Sequence, residues 1–278
     1  MKKNVLELEE IQQKVSFFKT RLGVYLLKKI FRWTDIDKVN RIHSNHHTLR
    51  GAAYTTAMLT DPLMDVSYEV HNREIMDQLP EGAFITVSNH PIGSLDGIIL
   101  IDIFASVRPD FRVMVNEMLA HISAMEDNFI SVVPKTDDKQ GNDNKNSGGI
   151  RLSLTHLKEG HPIGFFPAGA MSFYNRKFKK VRDLQWSQSI IRLIRKANVT
   201  VFPVYFDCLN SKRFYRMGQI SWKLRTLFVA KEAFNKKGKK LHVYLGKPIP
   251  SQIIKTYQND DDLADFLYNK TYNIKENQ

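Results

Sequence analysis

The 278-residue chain has one cysteine, Cys208, and contains no run of about twenty uncharged apolar residues. A single cysteine excludes an intramolecular disulfide and a cysteine-cluster metal site, and it is in keeping with a reducing compartment. The missing apolar run argues against a membrane-spanning helix. The first residues, MKKNVLELEEIQQK, become acidic where a secretory signal needs an apolar core. We therefore expect a cytoplasmic protein at the periphery of the inner membrane face.

Patterns typical of metal and nucleic-acid sites are also missing. His43, His46 and His47 lie near one another, but no cysteine or acidic ligand stands at a useful spacing from them, so we predict no metal site. We find neither zinc-finger spacing nor the aromatic motifs of RNA-recognition modules. The sequence therefore predicts no nucleic-acid partner.

Acidic residues are fewer than basic ones, 29 against 41, and the formal net charge is +12. Such a charge indicates an anionic partner or surface. Residues 14–34 hold six cations and no acid, and their apolar positions 15, 18, 22, 26, 30 and 33 fall on one helical stripe. Basic amphipathic helices of this kind lie in the headgroup plane of an anionic membrane. The alternative is an ordinary packed helix with a basic solvent face.

Residues 88–97, SNHPIGSLDG, place a histidine and an aspartate on one turn that contains glycine. The β-branched segment before them predicts a buried strand, and the segment after them predicts a buried helix. His90 is a candidate general base because imidazole titrates near neutral pH, and Asp96 would orient its ring. Ligands of α/β sheets bind beyond the carboxyl ends of strands, where this turn lies. The alternative is that His90 only ends a strand and Asp96 only caps a helix.

The same residues resemble the NHx4D motif of the glycerolipid acyltransferase superfamily, which includes glycerol-phosphate and lysophosphatidate acyltransferases. Asn89, His90 and Asp96 match its three fixed positions. Residues 163–172, IGFFPAGAMS, are similar to the family's FPEGTRS motif. Weaker blocks follow the family's order at 111–117, 130–134 and 201–206.

The resemblance implies that His90 deprotonates an acceptor hydroxyl, which attacks the thioester of an acyl-carrier-protein (acyl-ACP) or coenzyme A (acyl-CoA) donor. No further cofactor is expected. The acceptor would be a lysolipid, and Asn89 would hold the turn. Backbone N–H groups near Gly93 or Gly169 are expected to stabilise the oxyanion. The candidate substrate-binding residues are Asn89, Gly93, Phe166, Pro167, Gly169, Ser172, Arg176 and Lys177.

The second motif departs from the family pattern at three positions, where Ala168, Ala170 and Met171 replace glutamate, threonine and arginine. In the family that arginine is associated with the acceptor phosphate, and methionine makes no charge-assisted bond. Either Arg176 or Lys177 compensates, or the acceptor carries no phosphate there. The FPAG form, with Asn210 and Ser211 after the last strand, resembles a hemolysin-like branch that includes lyso-ornithine and lyso-glycine lipid O-acyltransferases.

We predict an α/β fold with a mixed sheet flanked by helices. An N-terminal helical, membrane-associating segment would cover 1–70 and the acyltransferase domain 71–278. Strands are predicted at 83–88, 112–116, 130–133, 162–166, 200–206 and 241–246, and helices at 95–106, 148–158 and 185–197. The alternative functions are lysophosphatidate acyl transfer, lipid hydrolysis by the same histidine, and non-catalytic binding of a membrane by a basic surface.

Overall fold

A computed structural model describes residues 3–116, 122–132 and 143–277 of the chain. In these ranges the helices are α1 Leu8–Lys14, α2 Arg21–Trp33, α3 Ile36–His46, α4 Gly51–Thr60, α5 Ser94–Ala105, α6 Asp143–Lys158, α7 Gln188–Ala197, α8 Lys212–Ile220, α9 Trp222–Leu227, α10 Val229–Phe234, α11 Ser251–Thr256 and α12 Asp260–Tyr272. Short 3₁₀ helices lie at Ser16–Lys19, Arg73–Gln78, Ser123–Asn128 and Lys275–Asn277.

The strands are β1 Ser67–His71, β2 Phe84–Ser88, β3 Arg112–Asn116, β4 Phe129–Val132, β5 Ile163–Phe165, β6 Phe173–Asn175, β7 Lys180–Arg182, β8 Thr200–Asp207 and β9 Lys240–Leu245. Seven of them form one sheet in the order β1-β9-β8-β2-β5-β3-β4, and β6 and β7 form a separate hairpin. Strands β8, β2, β5, β3 and β4 are mutually parallel, while β9 runs antiparallel to β8. The predicted α/β class with a mixed sheet is confirmed.

The central strands and α5 form much of the core, because their residues are largely apolar and are covered on all sides. All five residues of β2 are buried, as expected for a strand covered on both faces, and α5 is buried along almost its whole length. Gly164 in β5 permits this packing. A Cβ there would lie 2.8 Å from Leu100 Cδ2 and 2.9 Å from Phe111 Cζ, so a larger residue would push α5 and β3 away.

The predicted strands and helices are present, with shifted ends. Helix α6 begins at Asp143, earlier than the predicted residue 148, and α7 begins at Gln188 rather than 185. Residue 133, the predicted end of one strand, lies outside the described residues. Strand β1 crosses the predicted boundary at residue 70 and pairs with β9 in the sheet. The division into segments 1–70 and 71–278 stays a prediction.

Helix α2 exposes Leu22, Leu26 and Trp33 of the predicted apolar stripe, keeps Ile30 half-buried, and buries a different face. Gly23, Leu27 and Phe31 are its buried residues, whereas Leu22 is 61% exposed and Trp33 is 58% exposed. Within the described residues, no helix combines the length and apolar character needed to cross a bilayer.

Candidate active site

Both sequence motifs lie at the carboxyl ends of adjacent parallel strands. The NHx4D turn follows β2, and the residues that continue the second motif follow β5, which pairs with β2 in parallel register. Strand β8 is the other neighbour of β2 and is also parallel to it. Carboxyl ends of parallel strands meet at one edge of a sheet, where α/β proteins form their ligand crevices. The fold therefore brings together two motifs that are far apart in the sequence.

His90 and Asp96 are hydrogen-bonded, as the sequence predicted. His90 Nδ1 lies 3.0 Å from Asp96 Oδ2, and Asp96 is fully buried in the first turn of α5. The same oxygen accepts the backbone N–H groups of Ile92 and Gly93 at 2.9 and 3.0 Å. Because an ionised carboxylate only accepts, this geometry assigns the proton to Nδ1 and leaves Nε2 as the basic nitrogen.

Phe166 fixes the plane of the His90 ring from the second motif. The two rings are stacked with centroids 4.3 Å apart and an interplanar angle of 27°. The His90 side chain remains 18% exposed. Asp96 holds one ring edge and Phe166 covers one ring face, so the imidazole has a defined orientation. Its exposed fraction leaves the ring accessible from solvent.

Asn89 and Asn210 hold the turn that carries His90. The Asn89 amide donates to the Phe206 carbonyl at 3.0 Å and accepts the Phe206 N–H at 2.7 Å, so its side chain pairs with β8 like a strand backbone. Asn210 Nδ2 donates to the carbonyls of Pro91 and Ile92. Asn89 therefore holds the turn, as expected, and its predicted contact with substrate remains untested.

Ser172 joins the second motif to the first. Its backbone N–H donates to the His90 carbonyl at 2.8 Å, and its hydroxyl donates to Asp183 Oδ1. Asp183 also accepts the backbone N–H of His90, with 3.2 Å between the nitrogen and Oδ2. Ser172 is 3% exposed, and its hydroxyl has a partner inside the protein; its contact with the acceptor stays a prediction.

Asp183 is a second buried carboxylate beside His90 that sequence reasoning missed. It is 2% exposed, and its backbone N–H lies 3.4 Å from the Tyr272 hydroxyl of α12. Burial raises the pKa of Asp183, while the bond from Ser172 and the nearby His90 act in the opposite direction. Burial and the Asp183 charge also raise the pKa of Tyr272. No local signal marks Asp183, because its partners lie on other elements.

Arg225 of α9 contacts the loop of the second motif at Met171, the residue that stands where the family pattern has arginine. Its guanidinium donates to the carbonyls of Ser172 at 3.1 Å and Met171 at 3.4 Å, and it lies over the Phe214 ring. Gly218 makes room for it, because a Cβ there would lie 2.7 Å from Arg225 Cδ. The side chain is buried, which lowers its pKa. Arg225 therefore supports the backbone of the second motif.

Oxyanion donors were predicted near Gly93 and Gly169, and the backbone N–H groups of these two glycines are themselves engaged within the protein. Gly93 N–H donates to Asp96, and Gly169 N–H donates to the Phe166 carbonyl at 2.9 Å. Both glycines have positive φ, 109° and 65°, so they shape the two turns. A Cβ on Gly93 would lie 2.6 Å from Met171 Sδ, which shows how closely the motifs approach.

Arg176 and Lys177 lie on the β6–β7 hairpin rather than on the loop itself. Arg176 donates to Gln219 at 2.9 Å, and Lys177 lies over the Phe178 ring. Both are exposed, and neither contacts His90 within the described part of the chain. Pro167 lies at the base of the second motif, where its carbonyl accepts the Ser187 N–H at 2.8 Å. The structure thus unites His90, Asp96, Asn89, Gly93, Phe166 and Ser172, and leaves the two cations outside this group.

This arrangement agrees with the family that matches the sequence. The family model described as acyltransferase matches residues 11–278. The chain belongs to the acyltransferase family. The enzyme is 26% identical over 207 residues to a lyso-glycine lipid O-acyltransferase of Phocaeicola vulgatus, covering 72% of this chain and 71% of that protein. It is 25% identical over 258 residues to a lyso-glycine lipid O-acyltransferase of Bacteroides thetaiotaomicron, covering 90% and 89%.

The fold of this acyltransferase is also similar to a solved structure. It matches the 1-acyl-sn-glycerophosphate acyltransferase PlsC of Thermotoga maritima with a TM-score of 0.50 and 16% identity. The match covers 94% of this chain and 90% of that one. The predicted resemblance to the glycerolipid acyltransferase superfamily is confirmed.

Proposed function

We propose that this acyltransferase moves a fatty acyl group from an acyl thioester to the hydroxyl of a lysolipid, and that the acceptor is a lyso-amino-acid lipid. The observation that carries the proposal is the His90 imidazole, oriented by buried Asp96 and stacked on Phe166 between two motif loops. The names of the two lyso-glycine lipid relatives support the same acceptor class.

The geometry supports general-base catalysis without an acyl-enzyme. His90 Nε2 takes the proton of the acceptor hydroxyl as its oxygen attacks the thioester carbonyl. Asp96 stabilises the imidazolium that forms, because its carboxylate oxygen accepts a hydrogen bond from the Nδ1–H group. The tetrahedral intermediate then collapses, the carbon–sulfur bond breaks, and His90 returns the proton to the departing thiolate. The acyl donor is acyl-ACP or acyl-CoA.

The second motif supports a phosphate-free acceptor. Met171 has no charge, and the nearby Arg225 directs its guanidinium to the carbonyls of Met171 and Ser172. A lysophosphatidate acceptor would need another cation, and the exposed Arg176 and Lys177 are the candidates for that role. Lysophosphatidate is therefore the alternative acceptor.

We further propose that the enzyme acts while bound to an anionic membrane on the cytoplasmic side. Leu22, Leu26 and Trp33 of α2 are exposed apolar side chains, and cations Arg21, Lys28, Lys29 and Arg32 lie on the same helix. Beside them is an open groove of about 880 Å³, lined by Phe17, Phe18, Ile30 and Lys231 among others. Exposed apolar groups ringed by cations are typical of helices that lie in the headgroup plane.

The test is acyl transfer by purified enzyme from a labelled acyl thioester to lyso-glycine lipid, lyso-ornithine lipid and lysophosphatidate. His90→Ala should lower turnover about 10²- to 10⁴-fold, because it removes the general base. His47→Ala is the matched control, since the His47 ring bonds to the nearby Ser44 carbonyl and lies outside the two motifs. Near-normal turnover by His90→Ala would exclude the mechanism.

The acceptor panel separates the remaining possibilities. Histidine-dependent product on an amino-acid lipid supports the proposed acceptor class. Product on lysophosphatidate alone would overturn it and would implicate Arg176 or Lys177 in phosphate binding. Release of free fatty acid without lipid product would indicate a hydrolase, in which water replaces the acceptor alcohol.

A further inference from the structure

Two histidines and a glutamate meet on one face of the sheet, at the β1–β9 pair and apart from the acyltransferase motifs. Glu69 and His71 are two positions apart on β1, so their side chains project to the same face of the sheet. His242 of β9 is in direct register with Glu69. One potential ligand atom from each of the three side chains lies within 4.8 Å of those of the other two.

The spacing of the imidazole nitrogens suits a shared metal ion. His71 Nε2 lies 2.9 Å from His242 Nδ1. Two nitrogens that each bind zinc at about 2.0–2.1 Å lie about 3.3–3.4 Å apart at the tetrahedral angle that zinc prefers, so this pair would separate by only about 0.4 Å. The two nitrogens therefore need little movement to take up one ion, and a carboxylate oxygen of Glu69 would supply a third ligand.

The surroundings hold the His71 ring and leave the glutamate adaptable. His71 stacks on Tyr244 with centroids 4.2 Å apart and an interplanar angle of 8°. The Glu69 side chain is 49% exposed and lies 3.7 Å from Lys240 Nζ, which is itself largely exposed and free to move away. Asp207 is in register with His242 on its other side, but it is bound to Lys275 at 2.7 Å.

The sequence predicted no metal site, since His242 is far from Glu69 and His71 along the chain. We now propose that Glu69, His71 and His242 form a site for a divalent transition-metal ion, for which zinc is the first choice. Two imidazoles and one carboxylate are ligands that zinc accepts, and water would complete its coordination. The ion would connect edge strand β1 to β9 through side chains, in addition to the backbone ladder. The proposal is independent of the acyltransfer chemistry, because none of its three residues belongs to the two motifs.

Zinc binding to the full chain tests the proposal. After removal of metal with a chelator, the protein is titrated with Zn²⁺ by calorimetry, and Co²⁺ is used to report coordination through its visible absorption. We expect one ion per chain. Glu69→Gln and His71→Phe should each weaken binding at least tenfold, because the first removes the carboxylate charge and the second removes a nitrogen ligand. Phenylalanine at position 71 keeps the stack on Tyr244, so the fold is preserved. His47→Ala should bind zinc as the unchanged protein does.

Thermal unfolding gives a second measurement. An ion that binds only the folded state raises the melting temperature with increasing concentration, and the rise should be lost in His71→Phe. If neither titration detects stoichiometric zinc, the His71–His242 contact is a hydrogen bond only and the proposal is wrong. Equal binding by His71→Phe and the unchanged protein would also overturn it.

Discussion

Two carboxylates serve His90 in different ways. Asp96 contacts the ring and fixes its tautomer, whereas Asp183 accepts the His90 backbone N–H and the Ser172 hydroxyl, and so connects the loops that carry the two motifs. Asp96 lies six positions from His90, so the sequence revealed it. Asp183 lies beyond the second motif, on the far side of the β6–β7 hairpin, and only the fold brings it to His90.

The buried Asp183 carboxyl makes stability depend on pH. Its folded-state pKa is raised by burial above the unfolded value of about 3.9, so the folded protein holds this proton more tightly than the unfolded chain. Ionisation of Asp183 therefore lowers stability as pH rises from about 4 through its raised pKa. In Asp183→Asn this contribution is absent.

Denaturant unfolding of both proteins over a pH series checks this prediction. The stability of the unchanged protein relative to Asp183→Asn should decrease across that window and then level off. A relative stability that is constant with pH, or that increases, would contradict the raised pKa.

At the scale of elements, the sequence predicted the parts that carry strong periodic or apolar patterns. Strand β2 and helix α5 are largely apolar, and their predicted ranges differ from the structure by one residue at most at each end. Strand β1, with the sequence SYEVH, has only partial burial and gave no such signal. Helices α8 to α10 were also missed; α9 and α10 have only six residues each, too few to show a helical periodicity.

The stripe on α2 was predicted as one helical face, and both a packed and a membrane-facing orientation were left open. The structure exposes Leu22, Leu26 and Trp33 and buries Leu27 and Phe31. Periodicity identified the apolar face, but periodicity alone does not say whether protein or solvent lies against it. That choice depends on tertiary packing.

Short helix α9 should matter for catalysis because of one side chain. Arg225→Met removes the donors to the carbonyls of Met171 and Ser172 and should cost about 1–3 kcal/mol of stability. It should also lower acyl transfer, since Ser172 is joined directly to His90. Arg216→Met on the exposed surface of α8 is the control and should change stability by less than about 0.5 kcal/mol.

Thermal unfolding and acyl-transfer rates of these two variants decide the role of Arg225. If Arg225→Met and Arg216→Met behave alike, the second motif does not depend on α9 for support. If Arg225→Met loses both activity and stability while Arg216→Met loses neither, the result agrees with the structure.

At the scale of the whole molecule, the net charge of +12 and the exposed face of α2 predict binding to anionic vesicles. Leu22→Ser combined with Leu26→Ser should weaken binding to phosphatidylglycerol vesicles at least about tenfold, because two exposed leucines lose burial in lipid. Val107→Ser is the control, since Val107 is 55% exposed after α5 and lies outside α2.

Vesicle cosedimentation at increasing salt separates the electrostatic contribution to binding from the hydrophobic one. The charge-dependent part should decrease with salt because mobile ions screen it, while the part due to the leucines should persist. Unchanged binding by the double variant would assign the attachment to another surface.

The contact between Tyr272 and Asp183 has a consequence for how the enzyme matures. Tyr272 ends the last long helix, α12, so the candidate active site is held by residues that are far apart in the sequence. Pairings between distant segments, such as β2 with β8, form slowly because long loops must close first. We therefore expect enzymatic activity to return late during refolding, after most secondary structure has formed, so that its recovery would measure completion of the native state.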